Sequence, residues 1–84
     1  MMAKFVICAV RDAAVGAFNT PMFFRTVDEA RRSFGDAVAD PKSGLGGHAK
    51  DYSMWLLGEW DDKGEISTCA PDCLMQAIDA LPLS

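Results

Sequence analysis

Tyr52-Ser53-Met54-Trp55-Leu56-Leu57-Gly58-Glu59-Trp60, then Asp61-Asp62-Lys63-Gly64, then Glu65-Ile66-Ser67-Thr68-Cys69, is the stretch that decides the fold. The first nine residues carry large apolar side chains on both alternating faces, around Met54, Trp55, Leu56 and Leu57, as a strand covered on two sides does. The next four are turn formers, and Gly64 is free to take positive φ. Ile66, flanked by polar neighbours, then returns in a short alternating strand that Pro71 breaks. A strand, a tight turn and a returning strand make an antiparallel hairpin.

Working outward, residues 4–10 (KFVICAV) form a second β-rich run, with Phe5, Ile7 and Ala9 on one face and Val6, Cys8 and Val10 on the other. A polar connection with a turn at Gly16 leads to residues 17–25 (AFNTPMFFR), where Pro21 permits at most an edge strand or extended segment. Thr26-Val27-Asp28-Glu29 is a capping box, with Thr26 as N-cap and Glu29 at the third helical position. Asp28 and Glu29 also suit the positive end of a helix. Val27, Ala30, Phe34, Ala37 and Val38 follow on one face at helical spacing, and Asp40-Pro41 ends the helix. Residues 41–49 hold three glycines and read as a loop. Residues 72–80 read as a short C-terminal helix with Leu74, Ile78 and Leu81 inward. The expectation is one α+β domain over residues 1–84, with its core at about 4–69 and an unassigned docking for 70–84. Its small antiparallel sheet has three or four strands, and one main amphipathic helix packs on one face.

Eighty-four residues, half of them apolar, allow one domain near the size where a single core barely suffices. No apolar run reaches the roughly 18 residues of a membrane span. The short, mixed N-terminal segment is too polar for a signal peptide, so a cytoplasmic, membrane-free protein is expected. The net charge of −4 is uneven. Residues 1–32 carry five basic and three acidic side chains, a net of +2, whereas residues 33–84 carry three basic and nine acidic, a net of −6. Broad electrostatic attraction to nucleic acid needs a basic face, which only the N-terminal part offers.

Four groups of residues could carry chemistry. Cys69 and Cys73, with Cys8 and the single histidine, His48, supply zinc-type ligands, but their spacing lacks paired CxxC knuckles, and free thiols with no metal are the expectation. His48 sits beside Lys50 and Asp51, yet no serine or cysteine occupies a nucleophile motif, so no enzyme and no cofactor are expected. Gly44-Leu45-Gly46-Gly47 lacks the lysine-threonine end of a phosphate loop. Finally, Phe18, Phe23, Phe24 and Arg25, with Arg11, Arg31 and Arg32, place rings beside cations, the pairing that single-strand binders use. By residue type alone the phenylalanines read as core and the helix arginines as a solvated face.

The order of residues adds to this. Ala14-Val15-Gly16-Ala17-Phe18-Asn19-Thr20-Pro21-Met22-Phe23-Phe24, then Arg32-Ser33-Phe34-Gly35-Asp36-Ala37-Val38-Ala39-Asp40-Pro41, then His48 with Asp51-Tyr52 through Gly58-Glu59-Trp60-Asp61-Asp62, follow one another over residues 4–68. Together they resemble the nonstructural protein of gokushovirus-like microviruses, small single-stranded-DNA phages. Ala49 and Lys50 depart from the Pro-Glu usual after that histidine, and the tail after Cys69 has no counterpart. The resemblance implies a nonenzymatic role in viral DNA replication or single-strand synthesis and packaging, in the cytoplasm of a bacterial host. Its implied partners are single-stranded DNA, bound through Arg11, Phe18, Phe23, Phe24, Arg25, Arg31 and Arg32, or a phage or host replication protein. An interaction module that never touches DNA is the alternative.

The two apolar-faced strands also carry an expectation of their own. One helix covers one sheet face only, so a homodimer that buries the other face or an edge is expected.

Overall fold

The computed structural model describes residues 4–81. Strand β1 (Lys4–Asp12) runs through the middle of the sheet. Asp12 ends it in a turn, its carboxylate accepting from the Ala14 N–H at 3.0 Å and its carbonyl from the Gly16 N–H at 2.8 Å. Gly16 takes φ 77°, the conformation a side chain would resist. The chain returns as two short strands, β2 (Ala17–Phe18) and β3 (Met22–Phe24), both antiparallel to β1. Asn19-Thr20-Pro21 separates them. The segment expected to give at most one edge strand therefore gives two.

Helix α1 (Val27–Ala39) starts where the capping box places it. Thr26 is extended, and its hydroxyl oxygen accepts from the Glu29 backbone N–H at 3.0 Å. A cap of this kind contributes about 1 kcal/mol. Asp40 stops the helix in an extended conformation, as a residue before proline prefers. Ala30, Phe34 and Val38 are the helix residues that become buried. The loop that follows contains one 3-10 turn, Gly46–His48.

Strand β4 (Tyr52–Asp61) lies between β1 and β5 (Ile66–Gln76), antiparallel to both. Asp61 organises the hairpin between β4 and β5. Its carboxylate accepts from the Lys63 and Glu65 N–H groups at 2.9 and 3.3 Å, and Gly64 takes φ 88°. The order across the sheet is β2-β1-β4-β5, with β3 also on β1.

Three expectations are corrected here. The sheet has five strands rather than three or four, because the aromatic segment splits in two around Pro21. Pro71 does not break the last strand, which runs through it to Gln76. The β4 pairing passes from Leu56 and Asp72 to Gly58 and Thr68, so residues 69–71 lie in an irregular step of an edge strand, where a missing N–H costs little. The C-terminal helix over residues 72–80 is also absent. Leu74 and Met75 belong to β5, and only a 3-10 turn, Ala77–Ala80, follows. The open edge of β4 needed a hydrogen-bonding partner, and that ladder outweighs a weak helical pattern.

The core lies on the α1 side of the sheet. Cys8, Val10, Phe24 and Met54 from the strands meet Ala30, Phe34 and Val38 from α1, with Ala49 and Ala77 closing the ends. The segment after β5 thus packs on the helix side, and it does not cover the opposite face of the sheet.

Candidate functional site

Strand pairing sorts the side chains, because residues directly opposite each other in antiparallel strands point to the same side. Val6, Cys8 and Val10 of β1 face the core, so Phe5, Ile7, Ala9 and Arg11 face away from it. Phe5 pairs with Trp60, Ala9 with Trp55 and Arg11 with Ser53. Ile7 pairs with Phe23, and Arg11 with Phe18. Five rings therefore share the face that no helix covers.

They form two groups. Phe5 and Trp60 stand 5.4 Å apart between centroids, tilted by 57°, and Phe23 meets Trp60 edge-on at 6.1 Å. These three rings line an open, almost wholly apolar hollow of about 350 Å³. Further along β1, Phe18 meets Trp55 edge-on at 6.1 Å. The Trp55 indole N–H donates to the Ser53 hydroxyl at 2.7 Å, which satisfies its polar atom and orients its ring. Phe23 is 52% exposed and Phe18 38%. Ala9, at the register position beside Trp55, is fully buried, so the rings themselves roof this side of β1.

Charge is segregated across the sheet. The acidic residues at paired strand positions are Asp12, Glu59, Asp61 and Asp72, opposite Tyr52, Val6, Lys4 and Leu56 in turn. All four fall in the alternation that faces the helix. The remaining carboxylates sit on α1, in turns or in the connections. Among the described paired positions the ring-bearing face carries no carboxylate, and its one charge is Arg11.

The residues singled out by sequence are thus divided. Arg11, Phe18 and Phe23 are brought together on the open face. Phe24, 8% exposed, belongs to the core beneath α1. Arg25 is exposed just after β3. Arg31 and Arg32 lie on α1, on the other side of the sheet. The Arg31 guanidinium donates to Asp28 at 3.2 Å and to the Leu74 carbonyl at 3.3 Å. Phe5, Trp55 and Trp60 are ring-face residues that composition alone did not single out. Strand alternation could have grouped Phe5, Trp55 and Trp60 only once the pairing register was known.

The other candidates are dispersed. Cys8 is buried in the core, and Cys69 and Cys73 lie on β5; all three are free thiols. Burial pushes the Cys8 thiol up, with nearby Cys69 adding to the shift. Among the described residues no group of three or more His, Cys, Asp and Glu is placed to hold a metal ion. His48 and Lys50 border a separate shallow hollow of about 390 Å³ with Ile78 and Leu81. No helix among the described residues is long and apolar enough to cross a membrane.

No curated protein and no solved structure matches the chain. One family model does, that of the Phage ORF5 protein, over residues 5–80, from the second residue of β1 to the end of the Ala77–Ala80 turn. On that match the chain belongs to the Phage ORF5 protein family.

Proposed function

We propose that this phage protein is a nonstructural protein of the gokushovirus-like microvirus kind. In this reading it acts without catalysis in viral DNA replication or single-strand synthesis and packaging, by binding single-stranded DNA. The observation that carries the proposal is the open sheet face, where five rings and Arg11 lie together and the paired positions hold no carboxylate. Bases stack on exposed rings whatever their sequence, and a cation follows the backbone. The carboxylates at paired strand positions point to the helix side, and Glu59, Asp61 and Glu65 border Trp60 at the hairpin end, so phosphates are drawn to the Arg11 end of the face. Over the roughly 10 Å of a Debye length at 0.1 M salt, local charge outweighs the total.

The test is a fluorescence titration of the two tryptophans with a 12-residue oligothymidylate at low and moderate salt. Expected is quenching, with affinity falling as salt rises, but with a shallow slope because few phosphates are neutralised. Arg11→Glu should weaken binding about tenfold or more, whereas Arg31→Glu with Arg32→Glu, on the opposite side, should change it little. If the helix reversal abolishes binding and Arg11→Glu does not, the site lies on α1.

The proposal includes a homodimer. Strand β5 forms one edge of the sheet, and residues 66–72 are exposed along it, with Ile66 at 63%. Twofold pairing of β5 with its copy would satisfy that edge and set the two ring faces side by side, doubling the contact with one strand of DNA. Light scattering across micromolar concentrations should give twice the chain mass. A monomer throughout that range removes the dimer and leaves the single-face reading standing.

A further inference from the structure

The ring face is two stations rather than one continuous platform. Trp60 stands opposite Phe5 and Trp55 opposite Ala9, so the stations are four residues apart along β1. At about 3.3 Å per residue that is roughly 13 Å. The station at Trp60 is an open, shallow hollow of about 350 Å³ bordered by three rings, Trp60 lying at 57° to Phe5 and at 85° to Phe23. The station at Trp55 is a single edge-on pair with its indole held by Ser53, and it offers a surface rather than a hollow. Arg11 lies beyond it, paired with Phe18 and Ser53.

We infer that the Phe5–Phe23–Trp60 hollow is a cage for a single nucleobase, and that the Phe18–Trp55 pair is a second, stacking site for a later base of the same strand. This rests on the single-stranded DNA reading above. The chemistry favours a base as occupant. The hollow is almost wholly apolar and presents ring faces and edges, and because Glu59, Asp61 and Glu65 border Trp60 on its hairpin side, the phosphate of a bound base points away from them, toward Arg11. At the roughly 3.4 Å per nucleotide of a B-form strand, the roughly 13 Å between stations is about four steps, so the bases held are the first and about the fifth. The strand then runs along β1, with its backbone leaving the second station past Arg11. A mononucleotide engages the cage alone. A strand of about five nucleotides engages both stations, which raises affinity by linkage.

The chain has two tryptophans, one at each station, so each can be watched separately. Trp55→Phe leaves Trp60 as reporter, and Trp60→Phe leaves Trp55. Both keep a ring in place. Thymidine monophosphate at millimolar concentration is expected to quench Trp60 and leave Trp55 unchanged. Oligothymidylates of two nucleotides should behave like the monomer, and those of about five or more should quench both tryptophans and bind at least tenfold tighter. Phe23→Ala, at a half-exposed position where the fold should survive, is expected to remove the mononucleotide response. If the 12-residue oligothymidylate binds but mononucleotide quenches both tryptophans alike or neither, the cage is wrong and the DNA reading stands. A proline-rich peptide that quenches Trp60 where nucleotides do not would give the hollow to a protein partner. Failure of the 12-residue oligothymidylate to bind at all overturns the DNA reading and the cage together.

Discussion

Phe34→Ala is expected to lower the stability of the domain by about 3–5 kcal/mol. Phe34 is 2% exposed and is among the largest fully buried side chains, set between α1 and the sheet with Met54 and Cys8. Removing its ring leaves a cavity walled by β1, β4 and the helix backbone, none of which can collapse into it without breaking ladder hydrogen bonds. A domain of this size commands roughly 5–10 kcal/mol, so the variant should be largely unfolded on modest warming. Phe34→Leu keeps most of the volume and should lose far less. Urea denaturation followed by circular dichroism measures both. An alanine variant with an unchanged midpoint would mean that the helix does not pack on this face through Phe34.

The second large effect is expected at Gly58. The strands β4 and β5 approach so closely there that a Cβ on Gly58 would overlap the Ser67 carbonyl oxygen and lie 3.1 Å from the Thr68 Cα. These are backbone atoms, which cannot rotate away as a side chain can. Gly58→Ala should therefore force the hairpin apart where its register already shifts, at a cost of about 3 kcal/mol. Because Gly58 pairs with Ile7 beside the Trp60 ring, the change should also weaken nucleotide binding at the cage. Gly47→Ala is the control, since a Cβ there meets nothing within 4 Å and should alter the midpoint little. Equal midpoints for the two variants would show that β4 and β5 are not in close contact at this point.

Several elements were legible because their causes are local. The N-cap set the first turn of α1: the Thr26 hydroxyl accepts from the Glu29 amide, which would otherwise lack a partner at the helix start, whatever the rest of the chain does. The hairpin turn was equally local, since Asp61 and Gly64 close it with their own side chain and backbone. The stripe of Ala30, Phe34 and Val38 told which helix face is buried. Family membership, too, was within reach of the sequence at the level of a phage protein, because spaced motifs over most of the chain carry it.

Other features came only with the tertiary structure, because they depend on which strand lies beside which. Nothing in residues 69–76 announces a strand. Pro71 and the helical spacing of Leu74 and Ile78 argue against one, yet the unsatisfied edge of β4 recruits the segment as β5. The two phenylalanines at 23 and 24 are neighbours of one type, and only the register on β1 sends Phe24 into the core and Phe23 to the surface. The same register collects Phe5, Trp55 and Trp60, distant in sequence, around the open face, and it leaves Arg31 and Arg32 on the far side. By itself the sequence determined the helix, the turns, the uneven charge and the phage family. Which rings share a surface, and that the acids at paired strand positions point away from it, were decided by strand pairing, since a shift of one residue in the register would turn every side chain of a strand to the opposite face.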